Sequence, residues 1–178
     1  MGLTIRRIRA NEGLRLRALR LQALADAPTA FGSTLAVEAA FPESVWHERA
    51  SGGAVDVDRI TFVAEDRGRW VGLATGVAGD YKGTGPTLVG MFVEGDARGQ
   101  GVGRALVEAV VDWARSRGAS QLSLWVTATN EPALALYRRC GFRPTGETEP
   151  LTHTPSLTEM RMARDLGAVP ETHRSKNG

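Results

Sequence analysis

Two stretches of this 178-residue chain carry residue types at a spacing that could do chemistry. The first is Arg98-Gly99-Gln100-Gly101-Val102-Gly103-Arg104. It follows Leu88-Val89-Gly90-Met91-Phe92-Val93, whose β-branched and aromatic content is that of a buried strand. It opens a segment in which Val102, Leu106, Ala109, Val110, Trp113 and Ala114 recur at three- and four-residue steps, the period of an amphipathic helix. A strand that turns through glycines into a helix leaves backbone N–H groups uncommitted at the positive end of the helix dipole. That arrangement suits a phosphate.

The residue types narrow the choice of phosphate. A nucleoside-triphosphate loop needs Lys and then Ser or Thr after its last glycine, whereas Gly103 is followed by Arg104 and Ala105. The dinucleotide fingerprint Gly-x-Gly-x-x-Gly places its third glycine at Arg104 or at Leu106, and fails in both registers. The pattern that fits is Arg-x-x-Gly-x-Gly, at Arg98, Gly101 and Gly103.

The second stretch lies downstream. Gln121-Leu122-Ser123-Leu124-Trp125-Val126 alternates as a strand, and Asn130-Glu131-Pro132-Ala133 reads as a helix start, with Asn as N-cap and Pro in the first turn. Leu134, Tyr137 and Cys140 continue one helical face, and Gly141 suits the C-terminal cap. Taken in this order, the glycine loop and the string Asn130…Ala133-Leu134-Ala135-Leu136-Tyr137-Arg138-Arg139-Cys140-Gly141-Phe142 resemble the two signatures of the GNAT superfamily of N-acetyltransferases. The likeness is specific from about residue 88 to residue 143 and architectural elsewhere.

The resemblance implies an α+β GNAT fold: a mixed central sheet of about seven strands, helices on both faces, and a splayed strand pair that admits acetyl-CoA as co-substrate. It implies direct transfer of an acetyl group to a primary amine of a small molecule or peptide, with no covalent enzyme intermediate and no metal. The cofactor residues it assigns are Met91, Phe92 and Val93 on the strand, Arg98, Gly99, Gln100, Gly101, Val102, Gly103 and Arg104 in the loop, and Asn130 and Tyr137 beyond it. Tyr137 matches the position from which relatives protonate the departing sulfur, and a phenol with a pKa near 10 keeps its proton at neutral pH. Asn130 is open to two readings, a contact to the cofactor arm or a helix cap. Cys140 reads as a small core residue. The non-catalytic alternative is an acyl-CoA-binding sensor of the same fold.

The general base is where the chain departs from the pattern. The strand positions that carry Glu in members of the superfamily correspond here to Thr87 and Trp125, neither of which can take a proton. Glu38, Glu94, His47 and His153 remain, and Glu38 is expected to face the acceptor cleft because the loop at residues 31–38 follows the first helix. Glu38, Glu43 and Glu149 are carboxylates in segments expected to line the acceptor site, where they would suit a cationic amine.

The elements that must hold these groups follow from pattern. Residues 4–9 read as a strand, and Asn11 as the cap of a helix over 12–25 with Leu14, Leu16, Leu19, Leu21 and Leu24 as its apolar cover. Residues 31–34 read as a loop, 42–50 as a second helix, and Ser51-Gly52-Gly53 as a turn. Residues 60–65 and 70–77 form a hairpin around Asp66-Arg67-Gly68. Residues 81–86 and 147–156 read as loops, and 157–163 as the last strand. One domain over 1–166 is expected, with 167–178 as a mobile tail.

Composition sets the outer limits. With 42% hydrophobic and 24% charged residues the chain reads as globular. No apolar run approaches a membrane span, and the first residues lack a signal-peptide core. A single cysteine, Cys140, excludes an internal disulfide and fits a reducing cytoplasm. Net charge is +2 with a pI near 9.1, and Lys82 and Lys176 are the only lysines; no basic block interleaved with aromatics appears, so neither nucleic acid nor a membrane is an expected partner. A homodimer through an exposed strand edge is left open.

Overall fold

The computed structural model describes residues 2–79 and 85–167. Among them the chain runs β1 (Thr4–Arg7), α1 (Gly13–Asp26), α2 (Leu35–Ala39), α3 (Glu43–Val55), β2 (Arg59–Asp66), β3 (Arg69–Val77), β4 (Thr87–Val93), α4 (Val102–Ser116), β5 (Gln121–Thr127), α5 (Glu131–Arg139), β6 (Arg143–Leu151) and β7 (Thr154–Asp165). The strands form one seven-stranded mixed sheet of order β1-β2-β3-β4-β5-β7-β6, antiparallel throughout except for β4 and β5. This is the expected α+β class and strand number.

The sheet separates two apolar layers. Leu106, Val107, Val110, Val111 and Trp113 of α4 and Leu134 of α5 pack over Val71, Ala74, Leu122 and Leu124. Leu16, Leu19, Ala23 and Leu24 of α1 and Trp46 and Ala50 of α3 pack over Val63, Leu73 and Phe92. Leu14, expected among the cover of α1, is 51% exposed, because the buried stripe follows positions 16, 19, 23 and 24.

Four local readings are corrected. Helix α1 begins at Gly13 with Glu12, not Asn11, at its N-cap, because Glu12 is drawn into a pair with Arg6 (2.8 Å) and accepts from the Arg9 N–H at 2.9 Å. The 31–38 segment contains a one-turn helix, α2, capped by Thr34, whose Oγ1 accepts from the Val37 N–H at 3.3 Å. Ser51-Gly52-Gly53 is not a turn: α3 continues to Val55 and ends at Asp56 in the left-handed region. Packing there outweighs the roughly 1 kcal/mol that each helical glycine costs, since Gly53 lies so close to Thr61 that a Cβ would meet its Oγ1 at 2.6 Å. Finally, most of residues 147–156 is strand, since β6 and β7 form a hairpin turning at Thr152-His153. Strand β6 is almost wholly exposed and so shows no apolar alternation to betray it. Residues 81–84 of the expected loop and 168–178 of the expected tail lie outside the described residues.

The feature that positions the site is the parting of β4 from β5. They pair only at Thr87–Ser123 and Leu88–Leu124, although β4 runs on to Val93 and β5 to Thr127. A bulge starts the divergence: Thr75 and Leu73 of β3 face Val89 and Phe92 of β4, so β4 holds an extra residue, and Gly90 there adopts φ +61°. Bulges of this kind bend the strand that carries them.

Candidate active site

The wedge between β4 and β5 opens into a cavity of about 670 Å³. Its walls include Met91, Phe92 and Val93 from β4, Arg98, Gly99, Gly101, Gly103 and Arg104 from the loop and α4, and Asn130 and Tyr137 from the α5 side. Ten of the residues assigned to the cofactor from sequence therefore converge on one space. The other two do not line it: the Gln100 amide turns away to donate to the Asp96 carbonyl at 2.7 Å, and the Val102 side chain is buried in the core.

Gly99 and Gly101 have φ of +74° and +83°, and an added Cβ at either would meet nothing within 4 Å. They are glycines because only glycine takes this backbone path without strain. Gly103 differs: its Cβ would press on Leu136 Cδ2 at 3.0 Å and Met91 Cε at 3.3 Å, so it sets how closely α4 sits against the wedge. Gly101 is the N-cap of α4, and no side chain caps that end, so the first amides of the helix are left to a ligand.

Arg98 is held from two sides, donating through Nη2 to Asp26 at 2.5 Å and through Nε to the Val93 carbonyl at 2.8 Å. Arg104 is exposed at the cavity wall, and Arg139 lines it as well. Asn130 acts as the helix cap, its Oδ1 accepting from the Ala133 N–H at 3.3 Å, while the residue also lines the cavity.

Tyr137 is 8% exposed and packs edge-on against Phe142 with ring centroids 6.0 Å apart. Burial, with a smaller contribution from the neighbouring Cys140, pushes its phenol well above the ordinary tyrosine range, so the proton stays on Oη across physiological pH. Burial, followed by Glu108, likewise raises Cys140, and the thiol is 3% exposed in the core.

A second cavity, of about 480 Å³, lies on the α1–α3 side of the sheet. It shares Ala30, Phe31 and Trp125 with the first. Thr87 and Trp125, the two positions where a base was missing, both line it. Glu38 lines it too, 2% exposed, with Oε1 and Oε2 accepting from Arg20 at 2.7 and 3.1 Å and Oε2 from Arg49 at 2.9 Å. Burial alone would raise the Glu38 carboxyl; the hydrogen bonds and charge of Arg20, then those of Arg49, outweigh it and hold the group below the usual carboxylate range.

The other base candidates lie elsewhere. Glu94 is buried beside Arg69 at 2.9 Å, and His47 is exposed on α3 against α1; neither lines either of these two cavities. The His153 ring contacts the Phe31 carbonyl through Nε2 at 2.7 Å and Thr154 through Nδ1 at 3.0 Å, which steadies the wall common to both cavities. Of the three acceptor-side carboxylates read from sequence, Glu38 and Glu149 line this cavity and Glu43 does not.

Sequence reasoning missed Glu159. It lies directly across from Glu149 on β6 and from Thr127 on β5, and lines the same cavity. Burial and then Glu149 raise its carboxyl, and His153 partly offsets them. Nothing in the local pattern around Glu159 distinguishes it from a solvated strand residue; the pairing of β6 with β7 brings it in.

The acetyltransferase (GNAT) family model matches residues 22–142. The chain belongs to that family. Its likeness to individual members of the family is local. Streptothricin acetyltransferase of Streptomyces lavendulae is 53% identical over 45 residues, 25% of this chain and 24% of the relative. The ribosomal protein bS18-alanine N-acetyltransferase of Escherichia coli K12 is 45% identical over 56 residues, 32% of this chain and 38% of the relative. The matched stretch thus spans well under half the length of these curated relatives. Among solved structures, a GNAT acetyltransferase from Streptococcus pneumoniae superposes with a TM-score of 0.76 over 93% of this chain and 99% of its own at 21% identity, a likeness of fold. Nourseothricin acetyltransferase gives 0.56 over 62% of this chain and 67% of its own at 33% identity. No helix of the described residues is long and apolar enough to cross a membrane.

Proposed function

We propose that this chain is a single-domain, cytoplasmic N-acetyltransferase that moves an acetyl group from acetyl-CoA directly to a primary amine of a small molecule or peptide. The observation that carries the reading is the meeting of two cavities at Phe31 and Trp125, one walled by the glycine loop and the parted strands, the other lined by carboxylates. Acetyl-CoA, when bound, supplies the activated thioester.

The backbone amides of residues 99–104 receive the diphosphate, and Arg98 and Arg104 add charge-assisted hydrogen bonds. Among the described residues the β5-facing backbone of β4 has no partner strand beyond Leu88, which leaves Met91, Phe92 and Val93 free to bind the pantetheine arm and to polarise the thioester carbonyl through an N–H. Asn130 fixes the start of α5 and thereby the position of Tyr137 one wall away. Tyr137 holds a proton at Oη for the departing sulfur. Burial keeps that proton in place at neutral pH, so the phenol is available as a donor and is not ionised as a base.

Glu38, the carboxylate that the sequence offered as base, is assigned a different duty. A group held below the ordinary carboxylate range by two guanidiniums is a weak proton acceptor, so Glu38 serves to fix Arg20 and Arg49 in the acceptor wall. A free sheet edge for self-association exists at β6, but Pro144, Pro150 and two register shifts there oppose strand addition.

The test is release of free thiol from acetyl-CoA across a panel of amines, amino acids, polyamines, aminoglycosides and N-terminal peptides. Amine-dependent thiol release is expected. Cofactor binding by calorimetry with no thiol released by any amine would leave the sensor reading in its place.

A further inference from the structure

The acceptor cavity is divided by charge. On the side of the first helices Arg20 and Arg49 share a single carboxylate, Glu38, so that cluster keeps a net positive charge. Arg20 commits Nε and Nη2 to Glu38, and Arg49 commits only Nη1, which leaves guanidinium donors on both unassigned. Trp46, in the same wall and 0% exposed, has an indole N–H with no protein partner. Spare guanidinium donors on a partly buried cluster with a surplus positive charge suit an anion.

The opposite wall is acidic. Glu149 and Glu159 face each other across β6 and β7, and two carboxylates so placed repel. Both charged groups lie beside the wall where the two cavities meet. The Arg20 guanidinium stacks over the Phe31 ring at 4.6 Å. Glu159 pairs with Thr127, two residues along β5 from Trp125 and on the same face of the strand, about 7 Å away at strand spacing.

We propose that the acceptor is a free amino acid or a close analogue, an amine carrying its own carboxylate a few bonds away. The carboxylate is received by Arg20 and Arg49, and the amine by Glu159, near Trp125. This deepens, and rests on, the acetyltransferase reading. With the carboxylate fixed on the arginine side, the amine nitrogen is directed to the wall where the cofactor cavity begins. The bound ammonium first gives one proton to solvent; attack of the neutral nitrogen on the thioester carbonyl then forms the amide as the carbon–sulfur bond breaks, a second nitrogen proton passes to Glu159 or solvent, and Tyr137 protonates the thiolate and is itself reprotonated from solvent.

The experiment compares free amino acids with their own carboxamides and with the amines that lack the carboxyl group. Thiol release from acetyl-CoA is measured for each, together with thermal shift in the absence of acetyl-CoA. The parent amino acid is expected to exceed its carboxamide at least tenfold in kcat/KM and to raise the melting temperature where the carboxamide does not. Arg49→Met should abolish that gap by lowering turnover of the parent alone, and Glu159→Gln should raise KM for the parent with calorimetric CoA binding unchanged. Equal turnover of parent and carboxamide overturns the inference and leaves the transferase intact. Stabilisation by amino acids without thiol release sustains the charge-divided cavity as an amino-acid binding site, and overturns both the transferase and the acceptor role. Silence of every amino acid in both assays overturns the inference, as does loss of parent and carboxamide turnover together in Arg49→Met.

Discussion

Glu38 and Arg20 form a two-point pair across 18 residues of sequence, Oε1 with Nη2 at 2.7 Å and Oε2 with Nε at 3.1 Å, in the wall of the acceptor cavity. Arg49 completes it at 2.9 Å. The cluster joins α1, α2 and α3, and its consequences are measurable in stability as well as in activity.

Removing one member of a buried ion pair strands the others. Glu38→Gln is therefore expected to cost about 3 kcal/mol of unfolding free energy, read by urea denaturation at neutral pH. Its folded pKa lies below its unfolded value, so near that range the unfolded chain binds more protons and stability falls as acid is added. The stabilisation is complete above the ordinary carboxylate range and is lost as pH drops through the lower, folded value. Glu12, lowered chiefly by its hydrogen bond from Arg6, contributes with the same sign. Glu38→Gln should make the acid limb shallower without removing it, and an unchanged limb would show that Glu38 titrates normally.

Tyr137→Phe separates the phenol from the ring. The ring packs on Phe142 and the fold needs no hydrogen bond from the hydroxyl, so the melting temperature should move little. Loss of the proton donor should lower kcat by about 10² or more. In the unmodified enzyme, because burial holds the phenol above its ordinary value, the rate should not decline through about pH 10 by ionisation of this group. A kcat unchanged in Tyr137→Phe would remove the general-acid role.

The glycine loop predicts two distinguishable failures. Gly101→Ala forces a side chain onto φ +83°, costing about 1–2 kcal/mol and distorting the uncapped start of α4, so CoA affinity by calorimetry should fall at least tenfold. Gly103→Ala keeps a helical backbone but presses on Leu136 and Met91. It should weaken CoA less, because side-chain ends can yield where a backbone path cannot.

Asp26→Asn tests the anchoring of Arg98. The pair is roughly half-exposed, so its loss should cost under about 1 kcal/mol of stability, while freeing the guanidinium should weaken CoA binding several-fold. Arg98→Ala, which removes the charge itself, should weaken it further and make the remaining affinity less sensitive to salt.

Legibility differed sharply between the two cavities. The cofactor side was readable because its requirements are local: a positive-φ path at Gly99 and Gly101, an uncapped helix start, and a Tyr on one face of a nine-residue helix all sit within a few residues of each other. Gln100 and Val102 fell outside the cavity because membership of a loop does not fix where each side chain points. The acceptor side was not readable. Glu159 and Glu149 become neighbours only when β6 pairs with β7, and Arg20, Glu38 and Arg49 only when three helices pack on one face of the sheet.

The chain's order of apolar periods, its glycines and its Asn130 cap were enough to specify the alternation of strands and helices and the phosphate-binding loop, since those depend on backbone conformation and on i, i+3 and i+4 spacing. Tertiary structure decided the rest. Strand β4 bulges at Gly90 and pairs with β5 only as far as Leu88, and residues 20 and 159 come to line the same cavity, because charge and burial act through space and take no account of distance along the chain.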